Sequence, residues 1–148
     1  MATKPAVPHN PRIEYLWVPV STTFEEMDML ASQEDATNQE TAKMTATAAN
    51  IAGFIMKQIT ATSTEYSTLS RVPVLIDEFG EFEFDVDTGT ADINDEDGFI
   101  DVDDTAPDDA VDVEASTEDH IKVTRYISGT LVRGRVAVWS HLQAPVIR

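Results

Sequence analysis

Alternation of apolar and polar residues is the clearest signal in this chain, and it is strongest in the second half. Glu81-Phe-Glu-Phe-Asp-Val-Asp87 switches between acid and apolar at every step. A strand with one wet and one dry face carries that period of two. Gly98-Phe-Ile-Asp-Val-Asp103 and Ala110-Val-Asp-Val-Glu114 repeat it in shorter form. Residues 53–60 and 71–77 are two further candidate strands, and Pro73 predicts an edge position or a strand start for the second. Ile121–Ile127 and Leu131–Trp139 flank the turn-prone triplet Ser128-Gly129-Thr130, which predicts a hairpin. On its second strand Val132, Val136 and Val138 point one way, and Arg133 and Arg135 the other.

The first fifty residues read differently. Pro5, Pro8, Pro11 and Pro19 fix φ and remove backbone donors, so residues 1–20 predict an extended arm. Ile13, Tyr15, Leu16, Trp17 and Val18 are apolar, so the arm lies on something, either its own domain or a neighbouring subunit. Thr23 and Glu26 fit a capping box, and Phe24, Met27 and Leu30 recur at helical spacing. The spacing predicts a short helix from about Phe24 to Gln33. Residues 34–50, rich in Thr, Ala, Gln and Glu, have no clean period and fit helix, loop or disorder alike. The expected architecture is mainly β: a small β-barrel or sandwich over residues 51–148, preceded by residues 1–50 as a Pro-rich arm, one short helix and a polar segment.

Charge narrows the partners. Net charge is −17 over 148 residues, and the only lysines are Lys4, Lys43, Lys57 and Lys122. Nucleic-acid binders gain affinity by neutralising phosphates, so nucleic acid and anionic membrane are disfavoured. No apolar run reaches the length of a membrane span, and the N-terminus lacks the apolar core of a secretory signal. With no cysteine there is no disulfide or thiolate metal site. The charge is also segregated. Residues 77–119 hold no Lys or Arg, whereas 121–148 hold no Asp or Glu but contain Lys122, Arg125, Arg133, Arg135 and Arg148. The basic hairpin can pair with the acidic strands of its own fold, or dock on the acidic face of another copy. Tyr15, Trp17, Arg125, Arg133 and Arg135 are therefore the candidate interface residues, aromatics and arginines being common interface anchors.

Candidate chemistry is sparse. The stretch from Asp92 to Asp104 offers Asp92, Asn94, Asp95, Asp97, Asp101 and Asp104 as oxygen ligands beside Gly98, and calcium is the ion such a loop would take. Its register is imperfect: placing Gly98 at the sixth loop position puts Ile93 at the first. A solvated acidic loop is the alternative. Asp95-x-Asp97-Gly98-x-x-Asp101 resembles calcium loops of thrombospondin-type and dockerin-type repeats. His9, His120 and His141 are scattered and lack zinc spacing. Neither a nucleophile elbow nor a glycine-rich phosphate loop occurs, so the expectation is a protein that is not an enzyme and needs no cofactor.

The run Val111-Asp-Val-Glu-Ala-Ser-Thr-Glu-Asp-His-Ile-Lys-Val-Thr-Arg-Tyr-Ile-Ser-Gly-Thr-Leu-Val-Arg-Gly-Arg-Val136, following an extended Pro-containing arm, resembles the closing strands of capsid decoration (cement) proteins of tailed viruses. The likeness is one of composition and strand layout and covers roughly residues 51–139. It implies a structural protein on the exterior of an icosahedral capsid, packed on the major capsid protein or another virion protein. It also implies a homo-oligomer, with a trimer favoured, and an arm that reaches neighbouring chains. A calcium-stabilised extracellular adhesion module, a head-tail connector and a tail component are the other readings. The acidic, Lys-poor composition suits a host living in salt.

Self-repulsion at −17 opposes compaction and is relieved by screening. The melting temperature, followed by circular dichroism, should therefore rise between dilute buffer and molar salt. A flat or falling response would remove the salt-adapted reading.

Overall fold

The computed structural model describes residues 3–18, 23–32, 41–45, 50–59, 71–88, 98–102, 111–112 and 120–139. They form eleven strands: β1 Lys4–Val7, β2 Arg12–Trp17, β3 Met29–Ser32, β4 Thr41–Lys43, β5 Ile51–Ile55, β6 Arg71–Ile76, β7 Glu81–Thr88, β8 Phe99–Val102, β9 Val111–Asp112, β10 Ile121–Ser128 and β11 Leu131–Val136. The fold is mainly β. One sheet has the order β1-β7-β11-β10-β8-β9 and the other β2-β6-β5-β3-β4. All pairings are antiparallel except β7 with β9, where Val86 meets Val111 and Thr88 meets Asp112. That short link returns the first sheet to β7 at one end, but no closed barrel is formed among the described residues.

A bent ribbon joins the two sheets, and the Ile51 N–H of β5, bonded to the Val138 carbonyl just past β11 at 2.9 Å, links them a second time. β1 pairs with β7 in the first sheet, and β2 pairs with β6 in the second. Val7 is opposite Glu81 and Arg12 is opposite Ile76, so residues 8–11 face residues 77–80 across the bend, four against four. No residue is gained or lost there, and a single register runs through the corner. From Arg12–Ile76 it continues unbroken to Trp17–Arg71. The N-terminal segment is thus extended, and it lies on its own chain.

At the bend the strand ladder gives way to a side chain. Asp77, 2% exposed, accepts hydrogen bonds from the backbone N–H of His9 at 2.9 Å and of Asn10 at 3.1 Å. Gly80 N–H returns to the Asp77 carbonyl at 3.2 Å. A Cβ at position 80 would land on the Asp77 carboxylate, so a side chain there would displace the group that holds the corner. The rings of His9 and Phe79, opposite each other across the bend, meet edge to face at 5.6 Å.

The core sits between the sheets around Phe54 of β5. Its ring stacks on Phe82 of β7 at 4.5 Å and meets the Trp139 ring at 6.0 Å and the Phe84 ring at 6.4 Å. All four are buried. Gly53 lets β5 approach β6, because a Cβ there would strike Val74 Cγ1 and come within 2.9 Å of the Leu75 carbonyl oxygen.

Three expectations need correction. Of the barrel and the sandwich expected, the described residues form no closed barrel and instead make two sheets that share a core. The helix over 24–33 is absent from its described part, residues 24–32. Phe24 exchanges two backbone bonds with Ile59, each 3.0 Å, and Met27 adopts a left-handed φ of 70° that ends any right-handed helical run. The Asp28 carboxylate takes the Glu25 N–H at 2.8 Å, and Met29 opens β3. Phe24, Met27 and Leu30 are all buried, yet so are Met29 and Ala31, because both faces of β3 are covered. The spacing of three therefore joins Phe24, which is followed by the exposed Glu25 and Glu26, to a continuous buried run over Met27–Ala31. Pro73, finally, lies in an interior strand. Its carbonyl accepts from Met56 N–H at 3.0 Å, one residue past the end of β5, so its missing donor falls where the ladder has already stopped.

Asp77→Ala removes the acceptor for two partly buried N–H groups and should destabilise the fold by about 1–3 kcal/mol in urea unfolding. Asp77→Asn, which keeps one carbonyl oxygen, should lose less. Wild-type stability for Asp77→Ala would show that the corner holds without its clasp.

Candidate interaction surface

Two surfaces stand out, and each grows from the strand pattern. The first is the outer face of the β7–β11–β10 portion. Phe82, Phe84, Val132 and Val136 turn inward, so Glu83, Asp85, Arg133 and Arg135 turn outward. Cross-strand register then sets charges in rows. One row runs Lys4, Glu83, Arg133, Arg125 across β1, β7, β11 and β10. Glu83 lies between two cations, 3.4 Å from Lys4 Nζ and 3.2 Å from Arg133 Nη2. The Arg133 hydrogen bond, helped by Lys4, holds the Glu83 carboxyl below the ordinary glutamate range, against the opposing effect of burial. Thr124 Oγ1 donates to Glu81 Oε1 at 2.6 Å along the same strands.

The second row is basic. Arg135 is opposite Lys122, which is opposite Phe99, and Lys122 Nζ lies 4.6 Å from the Phe99 ring centroid. Arg125 faces Arg133 in the other row, so like charges sit directly opposite each other twice on one hairpin, an arrangement that costs stability. Arg125 and Arg135 are exposed and form no ion pair among the described residues. The three arginines expected at an interface therefore divide: Arg133 is used within the chain, and Arg125 and Arg135 face outward.

The second surface is the flank built by the N-terminal limb. β1 and β2 are edge strands, one in each sheet, and they are consecutive in the chain. Among the described residues, five large apolar side chains are exposed: Val7, Ile13, Tyr15, Phe79 and Ile127. The first four belong to the limb or to the turn clasped against it. Tyr15, expected here, is 60% exposed, and Trp17 closes β2 opposite Arg71. Ile13 was named among the apolar residues of the arm but not as a contact residue, and Val7 and Phe79 were not singled out by sequence reasoning. A phenylalanine in the turn Asp77-Glu-Phe-Gly80 was the available signal, since such turns seldom need one. Arg12 anchors the start of β2 through Glu78 and through Glu14 Oε2 at 3.0 Å, and the Glu78 bond raises its pKa above the ordinary arginine value.

The calcium candidates Asp92, Asn94, Asp95, Asp97 and Asp104 lie outside the described residues, as does His141. Asp101 falls in β8, its backbone paired with Asp112. Among the described residues no group of three or more His, Asp or Glu side chains is placed to hold a metal ion. His120 is buried, and its Nδ1 accepts the Val102 N–H at 3.3 Å, which ties β10 to β8.

Comparison with family models, curated proteins and solved structures returns no match for this chain.

Because its folded pKa is lowered, Glu83 stabilises the fold above the ordinary glutamate range, and that contribution is lost as pH falls through the folded value. In an NMR titration its carboxyl midpoint should lie below that of an ordinary glutamate. It should move back up in Arg133→Gln and, by a smaller step, in Lys4→Gln. An unchanged midpoint in Arg133→Gln would remove the pairing.

Proposed function

We propose that this chain is a structural virion protein, a capsid decoration protein that stabilises an icosahedral shell by packing on the major capsid protein. The observation that carries the reading is the gathering of Val7, Ile13, Tyr15 and Phe79 on one flank of a strongly acidic molecule. Exposed apolar side chains grouped beside an open strand edge mark a surface for another chain rather than for a small substrate. The fold, read as a β-sandwich, presents that flank on a clasped corner, which keeps the contact residues in fixed positions before binding. Its remaining acidic surface suits the outside of a particle, where like charge keeps particles apart. Repeated attachment on a lattice turns modest single contacts into firm retention. The resemblance of residues 111–136 to the closing strands of decoration proteins supports the same assignment. Calcium plays no part in this reading.

The test is co-sedimentation of the purified chain with shells of the virus that encodes it, in molar salt. Saturable binding at a fixed ratio to the capsid protein, with shells that withstand higher temperature, is the expected result. Phe79→Ser together with Val7→Ser should weaken binding while leaving the fold intact, because both side chains are exposed. Shells that neither bind the chain nor gain heat resistance would overturn the assignment.

A further inference from the structure

We propose that β2 is a self-association edge: two copies of the chain join antiparallel, β2 to β2, about a twofold axis through Glu14. The inference concerns contact between copies and does not rest on the virion reading.

Sheet ends expose unpaired N–H and C=O groups, and natural proteins blunt them with proline, lysine, bulges or shortness. Among the described strands, β1 carries Pro5 and Lys4 within four residues, and its register shifts between Pro5 and Val7. β4 has three residues, and β9 has two and is paired on both sides. β2 has six residues, no proline, no lysine and six consecutive register pairs without a shift. It is the one long edge left unblunted among the described residues. No other described edge of the chain is long enough to match it, so within this chain its best complement is itself.

Side-chain placement fits the same partner. Opposed residues on antiparallel strands share a face, and a twofold axis normal to the sheet must pass through a residue position. With Glu14 on the axis, Ile13 of one copy meets Tyr15 of the other, and the reverse. These two side chains are 51% and 60% exposed in the single chain, and a β-branched residue beside an aromatic is a favourable cross-strand pair. The two Glu14 carboxylates approach at the centre, but each is already bonded to its own Arg12 Nε at 3.0 Å. Charge favours this site as well. Two molecules of −17 can meet only where acid is sparse, and residues 1–20 carry Lys4 and Arg12 against the single acid Glu14.

The experiment uses the full chain in molar salt, where net repulsion is screened. Sedimentation velocity should show a monomer–dimer equilibrium. Tyr15→Lys, at an exposed position, should raise its dissociation constant by about tenfold or more with an unchanged circular dichroism spectrum. The absence of native cysteine gives a second measurement. Glu14→Cys would face its own copy within disulfide reach and should form a linked dimer on mild oxidation, whereas Glu26→Cys, exposed in the turn before β3, should not. A chain that stays monomeric at every concentration overturns the proposal. So does a dimer that persists in Tyr15→Lys, or equal cross-linking at the two positions. The outcome is separable from shell binding, which a monomer could still perform.

Discussion

One antiparallel ribbon, bent once, is the constraint on which the rest of this molecule depends. Residues 4–17 run along residues 71–83 with equal lengths of chain across the corner, so the same pair of limbs contributes to both sheets. The corner must satisfy backbone donors that leave the ladder, and the buried Asp77 carboxylate does so for His9 and Asn10. With the bend held, β7 brings Phe82 and Phe84 over β5, and Phe54 closes the core between them. The same bend fixes β1 and β2 as neighbouring edges and gathers the exposed apolar side chains on their flank.

Strands with one wet face were legible in the sequence. β7, β10 and β11 alternate because one face meets the core and the other meets water, and Glu83 and Arg133 stand on that outer face as the pattern implies. Strands covered on both faces were harder to read. β5 is buried at all five positions, and β3 lies in a run of buried residues, so neither has a period to detect. Met27 and Leu30 belong to that run, and with Phe24, buried separately before it, they imitated a helix. The prolines of the first segment correctly indicated extended chain, but not its partner, because nothing local encodes pairing with residues more than fifty positions away.

The candidate interaction surface was legible in part. Aromatic residues in a Pro-rich segment drew attention to Tyr15 and Trp17, and Tyr15 is among the most exposed apolar side chains described. Charge segregation pointed to the basic hairpin, and the fold divides its members: Arg133 is committed to Glu83, while Arg125 and Arg135 face outward beside other cations. Exposure of Val7 and Phe79 depends on the corner, which only the paired limbs create. Within the acidic stretch Asp92–Asp104, conspicuous in sequence, Phe99–Val102 form β8, and every calcium candidate except Asp101 lies outside the described residues.

Contact with other chains is proposed for the N-terminal flank. Hydrogen–deuterium exchange, comparing the dilute chain with the chain in its assembled state, examines that claim most directly. The amides of β2 that face its open edge, away from β6, should exchange readily when dilute and become protected on assembly, with those of β5 unchanged. Protection confined to the outer face of β10 and β11, with residues 12–17 unaffected, would contradict it and move the contact to Arg125 and Arg135.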